Sequence, residues 1–414
     1  MLILRIRKVK KIICVVIVLV LTLPVLTTTS DASPHYSGAP NISSRAAVLI
    51  DADTGQVLFG QNGQARMYPA SLTKIMTAWL ASEMAHPDEV MTASGSAMIS
   101  FRNSANIGMR AGEQIRVGDA LFAIMLPSAN EVSNVLAEHI AGSQPAFADL
   151  MTERAHSIGA VNTRFENAHG LHGRGHYTTA NDMAHIIRHA ARNESFMLYF
   201  GAGRHTMPAT NLHQQRSFTN FHRMLVSGTS YYDSSVIGGK TGFTNPARHT
   251  LGTIARRGGR TLVAVVMHAG TASEARQDTQ ALLSYGFNSF TTVALGVSPS
   301  ETIIIPAMQN GITVGDVTFA VPANVTVAIP NWANPDDLQV RLLHYNHHEV
   351  TSGRPFGQVV IELNRGQSPA NHILTVNMSF DFRVGTSVET VGFGAFNSGD
   401  SSTFFGQDRP SAFF

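Results

Sequence analysis

Cysteine is almost absent from this chain of 414 residues: the single one, Cys14, lies close to the N-terminus. Charge is also scarce. Charged residues make up 14% and the formal net charge is +2, against about 25% charged in an average soluble protein. No block of Lys or Arg occurs beyond the first residues, which argues against nucleic acid as a partner. Long apolar runs are missing too, apart from Ile12 to Leu26. That run follows Arg5, Arg7, Lys8, Lys10 and Lys11 and precedes Ser30-Asp31-Ala32. A positive start, an apolar middle and small residues at an A-x-A-like site read as a secretory signal removed after Ala32. A membrane-spanning helix needs about 20 apolar residues, and this stretch ends sooner, in three threonines. Removal of the signal takes Cys14 with it. Disulfides, a thiolate nucleophile and Cys-metal sites are then excluded from the mature protein. Cys14 also lacks the small preceding residues of a lipid-acceptor site. An exported chain works without ATP, so cofactor-free hydrolysis or group transfer leads the enzyme classes.

What remains divides into segments of different pattern. Pro34 to Ser44 is polar and serves as a linker, 33–45. Ala46 to Ile50 and Val57 to Phe59 flank Asp53-Thr54-Gly55, the pattern of a β-hairpin. Leu72, Ile75, Met76, Trp79 and Leu80 repeat at helical spacing. The helical pattern continues to about Leu198, with turns at Gly142-Ser143, Gly159 and Gly170 to Gly175. Strands return at His249 to Ile254 and Thr261 to Met267, joined through Arg256-Arg257-Gly258-Gly259, and a helix over Glu274 to Tyr285 follows. A hairpin on either side of a helical block indicates one sheet with a helical insertion, an α+β domain over 46–292. Beyond it, 296–384 holds short strand-like runs, Thr302 to Ile305, Val317 to Val321, Val325 to Ile329, Leu338 to Leu343, Val359 to Leu363 and Ile373 to Phe380, separated by Pro, Gly and Asn. This is a small all-β domain. The tail, 385–414, is rich in Ser, Gly and Phe and reads as low-complexity chain.

Three short motifs carry chemistry. In Ser71-Leu72-Thr73-Lys74, the i, i+3 spacing places the lysine beside the serine hydroxyl, off the apolar helix face. Free N–H groups at the helix start favour a developing oxyanion. A lysine kept neutral by burial or a nearby cation can take the serine proton. Ser128-Ala129-Asn130 falls at a loop-to-helix transition, where a hydroxyl can relay protons and an amide can hold a carbonyl. Lys240-Thr241-Gly242 follows Gly238-Gly239, offering a cation, a hydroxyl and close backbone approach for an anionic terminus. Taken singly, these read as a capped helix, a second helix cap and a turn.

In this order the three are the signature set of penicillin-binding proteins and serine β-lactamases. The chain resembles one family in particular, the low-molecular-mass D-alanyl-D-alanine carboxypeptidases. Ala47 to Asp51 with Thr54-Gly55, Pro69 to Lys74, Pro127 to Asn130, His169-Gly170-Leu171, His176 to Ala180, Gly239 to Gly242 and Tyr285-Gly286-Phe287 carry the resemblance over roughly residues 46–290. Gly357 to Val360 resembles the family's C-terminal domain more loosely. The resemblance implies a β-lactamase/transpeptidase-like fold, an antiparallel sheet flanked by helices, followed by the all-β domain. It implies cleavage of the terminal D-alanine from peptidoglycan stem pentapeptides, no cofactor or metal, β-lactam antibiotics as covalent inhibitors, and a place in the periplasm or on the outer face of the cytoplasmic membrane. By the same carry-over, Ser71 is the nucleophile, Lys74 the base and Ser128 a proton relay to the leaving amine. Asn130 contacts substrate, Lys240 and Thr241 hold the terminal carboxylate with help from Arg276, and the N–H groups of Ser71 and Phe243, beside Gly242, form an oxyanion hole.

Departures narrow the alternatives. Family members often end in a basic amphipathic helix on the membrane. Here Asn397 to Phe414 carries only Asp400, Asp408 and Arg409, and the six phenylalanines from Phe393 lack helical spacing. Peripheral membrane contact therefore stays open. A β-lactamase needs a deacylating Glu-x-x-Leu-Asn, whereas Glu166 leads into Asn167-Ala168-His169. A D,D-endopeptidase or transpeptidase uses the same residues and remains open. A non-enzymatic peptidoglycan binder would lack Ser71 or Lys74. His185 and His189 are four apart, yet no Glu follows His185 as zinc proteases require.

Overall fold

A computed structural model describes residues 2–5, 38–98, 104–294, 302–309, 312–320, 326–344, 355–363, 371–379 and 391–392. The signal beyond Arg5, His347-His348 and the tail from Phe393 lie outside the described residues. The centre is one antiparallel sheet of five strands. In chain order they are β1 (Ala46–Asp51), β2 (Val57–Gln61), β3 (Val236–Thr244), β4 (Arg248–Arg257) and β5 (Arg260–Ala269), and in space they run β2-β1-β5-β4-β3. Side chains on a strand alternate between the two faces of its sheet. In β1, Ala46, Val48 and Ile50 enter one core while Ala47 and Leu49 enter the other. In β5, Val263, Val265 and Met267 join the first core and Leu262, Ala264 and Val266 the second. Both faces are covered, which is why these strands read as unbroken apolar runs.

The helical insertion covers the first face. Its members are α1 (Thr73–Met84), α2 (Val117–Met125), α3 (Asn130–Ala141), α4 (Gln144–Ser157), α5 (Ala180–Ala190) and α6 (Glu194–Phe200). The expected turns fall where glycine permits positive φ: Gly142 at φ 73 ends α3, and Ser143 caps α4 by accepting from the Ala146 N–H. The second face is covered by α7 (Ala272–Ser289), opened by a capping box between Thr271 and Glu274. The turn between β4 and β5 narrows to Gly258-Gly259, at φ 59 and 82, the two-residue geometry that matches strand twist.

One expectation changes. The periodicity of α1 predicts a single buried face, but every residue from Thr73 to Ala81 is buried. Helices α2, α3, α5 and α6 pack around α1, so its polar positions are enclosed as well. Lys74 therefore sits inside the protein, not off to one side of a buried stripe.

The last two residues of the expected linker are tied down. Ser43 and Ser44 both donate to the Asp278 carboxylate on α7, Ser44 N at 2.7 Å. Past the sheet, Phe290–Ala294 pairs with Thr326–Pro330, and the buried Gln56 side chain exchanges two hydrogen bonds with the backbone of Ala328, at 2.6 and 2.9 Å. Further strands follow, 302–309 with 312–320, and 338–344 with 355–363 and 371–379. Together with Thr326–Pro330, these strands overlap each of the six segments expected from sequence; Val321, Val325 and Phe380, at the ends of three of them, lie outside the described residues. Leu2–Arg5 lies antiparallel to Leu338–His344.

Candidate active site

Ser71 lies in a single 3-10 turn, Ala70–Leu72, that leads into α1. Ala70 holds φ 49, a left-handed conformation that is costly for a residue with a Cβ. Its surroundings over-determine it. The Ala70 carbonyl accepts from the Thr73 hydroxyl at 2.8 Å, and the preceding Pro69 carbonyl accepts from Thr250 Oγ1 at 3.1 Å. His176 completes the support. Its Nδ1 accepts from the Glu166 N–H, at 3.0 Å, so Nε2 carries the proton and donates to Thr73 Oγ1 at 2.7 Å. Burial pushes His176 down to about 3, which keeps it neutral in this role.

Two glycines press on the turn from opposite sides. Gly170 has φ 88, and a Cβ there would overlap the Ala70 carbonyl. A Cβ on Gly242 would come within 2.8 Å of the Ser71 nitrogen. Gly242 is in β3, which forms the edge of the sheet. The Ser71 N–H therefore lies beside an edge strand. Gly170→Ala is expected to lose roughly 2 kcal/mol or more of stability, from strained φ plus overlap with backbone that cannot yield. The urea midpoint reports this; a midpoint equal to wild type would contradict the tight approach.

Lys74 is completely buried and has three acceptors: Asn130 Oδ1 and the His169 carbonyl, each at 2.6 Å, and Ser71 Oγ at 3.2 Å. An ammonium donates to all three. A neutral amine keeps two of these bonds and turns its lone pair to the Ser71 hydroxyl. Desolvation and the charge of Lys240 hold Lys74 well below the ordinary lysine range, while Glu131 opposes them. A lysine lowered in this way is more readily neutral, and the neutral amine can take a proton from Ser71.

Ser128 and Asn130 stand where the chain enters α3. Ser128 has φ 66, and its Oγ is buried without a hydrogen-bond partner. Neither residue caps the helix, the role each would have as an ordinary helix start. The Asn130 side chain spans Lys74 and Ser104, donating to Ser104 Oγ at 3.0 Å. Lys240 is buried on β3, its Nζ donating to the Thr241 carbonyl at 3.0 Å, and burial brings it down to about 7. Lys240-Thr241-Gly242 is thus strand, not turn. Gly238 and Gly239 do not leave room for a ligand: Phe200 and His222 fill the space a Cβ would need. The clearance that bears on the nucleophile is at Gly242. Phe243 is half exposed and packs against His249 with ring centroids 4.5 Å apart. Arg276 stays outside the Lys74 cluster, stacked over Tyr231 at 4.2 Å, and its charge is felt by His222 and His249.

A serine hydroxyl, an asparagine oxygen and the His169 carbonyl thus converge on the buried Lys74 amine, in a chain whose Lys-Thr-Gly lies on the edge strand. A family model described as D-alanyl-D-alanine carboxypeptidase matches residues 33–271, more than half of the chain. The chain belongs to the D-alanyl-D-alanine carboxypeptidase family. It is 32% identical to the D-alanyl-D-alanine carboxypeptidase DacF of Bacillus subtilis, over 60% of this chain and 63% of that protein. It is 31% identical to DacC of Escherichia coli, over 67% and 69%. The matched part thus spans about two thirds of these relatives' length. Penicillin binding protein 5 of Haemophilus influenzae superposes with a TM-score of 0.64 at 26% identity, covering 82% of this chain and 96% of that structure. The fold is that of these structures, an antiparallel sheet flanked by helices.

Three residues of this family member were not singled out by the motif reading. Thr73 and His176 lie inside the quoted matching stretches, but their contact spans 103 positions and has no local signal. Glu131 directly follows Asn130 and is buried, its carboxylate accepting from the backbone of Ile107 and Met109. Glu166, weighed above as a deacylating group, lies instead against Gly173 and Gly175.

Proposed function

We propose that this chain is a serine D,D-carboxypeptidase that removes the terminal D-alanine from peptidoglycan stem pentapeptides. The observation that carries the reading is Lys74: a buried amine held 3.2 Å from the Ser71 hydroxyl by Asn130 and His169. In the proposed reaction, Ser71 Oγ attacks the carbonyl joining the two D-alanines as its proton passes to Lys74. The N–H groups of Ser71 and Phe243 receive the oxyanion, a contribution of about 10²–10³ in rate for each such donor. As the C–N bond breaks, Ser128 relays a proton to the leaving D-alanine. Water then hydrolyses the ester and Ser71 regains its proton. Lys240 and Thr241 hold the terminal carboxylate, with Arg276 at its outer side. The unpartnered Ser128 hydroxyl supports the relay, since a buried hydroxyl without a bond is costly unless a substrate uses it.

Stem peptides lie outside the cytoplasmic membrane, so the reading includes export, with 1–32 as signal, 46–292 as the catalytic domain and 296–384 as an accessory β domain. Among the described residues no helix is long and apolar enough to cross a membrane. β-Lactams are expected to acylate Ser71, as mimics of the D-Ala-D-Ala terminus.

The deciding measurement is D-alanine release from a pentapeptide, set beside cleavage of a cross-linked dimer and a pentapeptide ending in an amide. Release from the free acid should dominate. Its advantage over the amide should shrink as pH rises through about 7, where Lys240 loses its proton in the free protein. Faster dimer cleavage would favour the endopeptidase reading, the activity named for a Pseudomonas aeruginosa relative at 28% identity. Equal rates on acid and amide at every pH would remove Lys240 from carboxylate binding.

A further inference from the structure

Glu131 is placed unlike an ordinary second residue of a helix. Its carboxylate is enclosed, and the two oxygens are treated differently. Oε1 accepts from the backbone N–H of Ile107 at 2.7 Å and of Met109 at 3.4 Å. Oε2 is buried and has no hydrogen-bond partner among the described residues. The segment held by Oε1 is the same strap that meets Asn130: Asn130 N donates to the Ala105 carbonyl at 2.9 Å, and Asn130 Nδ2 to Ser104 Oγ. Adjacent residues of α3 thus grip one strap, residues 104–109, from two points. A neutral glutamine would suffice for that grip. A charge is harder to explain, because burying a carboxylate is costly without a compensating cation.

The cation is close by. Lys74 Nζ donates to Asn130 Oδ1 at 2.6 Å, one residue before Glu131. Burial raises the Glu131 carboxyl and the charge of Lys74 opposes that rise, while Glu131 opposes the lowering of Lys74. The other titratable groups facing Lys74 are Lys240 from β3 and the neutral His169 and His176 from the loop after α4.

We propose that Glu131 is a positioning residue for acylation: one oxygen fixes the 104–109 strap over Asn130, the residue that holds Lys74, and the buried carboxylate supplies a counter-charge to that lysine. The inference rests on the acyl-enzyme reading above. Two buried cations without Glu131 would repel each other unopposed. Lys74 would then give up its proton more readily but become a weaker base toward serine.

The test uses the full-length exported chain, benzylpenicillin acylation followed by intact mass, and the rate measured against pH. Glu131→Gln keeps an oxygen for Ile107 and Met109 but removes the charge. Its acidic limb should move down by roughly one pH unit, with a lower plateau. Glu131→Asp keeps the charge but shortens the reach, so its limb should stay within a few tenths of wild type while its plateau falls. A Glu131→Gln limb that does not move, or moves upward, overturns the proposal. If Glu131→Gln yields no folded protein, Glu131→Asp decides: a displaced limb or an unchanged plateau overturns it. A wild-type chain that forms no adduct at any pH would sink the acyl-enzyme reading and this inference together. An adduct with an unmoved limb would sink the role of Glu131 alone.

Discussion

Ser71→Ala is expected to abolish the covalent adduct with benzylpenicillin and to lower D-alanine release roughly 10⁶-fold, the scale seen when an acyl-transfer nucleophile is removed. The fold should not suffer. The substitution removes one bond of 3.2 Å, and Lys74 keeps Asn130 and His169 as acceptors. No buried group is orphaned, so the stability change should stay within about 1 kcal/mol. Intact mass, turnover and a thermal melt on the same sample separate the two effects. An adduct that survives on the alanine variant would place the nucleophile elsewhere.

Lys74→Gln is the second large effect. A glutamine amide can still donate toward Asn130 Oδ1 or the His169 carbonyl, but it cannot take a proton. Acylation should fall by about 10³-fold, within the range for loss of a general base. The shape of the profile is more telling than its height. In the wild type, Lys74 sits well below the usual lysine range because of burial and Lys240. Acylation needs the amine free, so the rate declines as pH falls through that lowered value and the ammonium forms. Glutamine does not titrate, and the acidic limb should vanish. A limb that persists at the same pH would assign it to another group.

How much of this was legible beforehand differs by element. The hairpin around Asp53-Thr54-Gly55, the Gly258-Gly259 turn and the helix after Thr271 follow from local chemistry, and strands and helix fall within a few residues of where the pattern puts them. The burial of Lys74 was not legible. Periodicity counts apolar positions, and a lysine between Thr73 and Ile75 reads as surface until four other helices are known to pack around α1. Gly238 and Gly239 were read as room for a ligand; the space is taken by Phe200 and His222, from segments distant in sequence. Glu131 escaped for a related reason. A carboxylate in the first turn of a helix is usually explained by the helix dipole, and only the fold shows it buried and bound to the backbone of Ile107 and Met109. The motifs named the candidate groups; what surrounds and tunes them came from long-range packing.

The clamp on Ser71 has a further consequence. Gly170 reaches it from the loop after α4, Gly242 from the edge strand, and Lys74 is fixed by Asn130 from a third segment. No fragment of the chain contains more than part of this assembly. A collapsed intermediate with its helices formed but β3 undocked would hold every catalytic side chain and still be unreactive. Susceptibility to penicillin is therefore a conformational probe: each labelled molecule is one in which the sheet has closed on the helical layer. A newly made chain would acquire the proposed chemistry in a single late step, once the strand bearing Lys240 is in place.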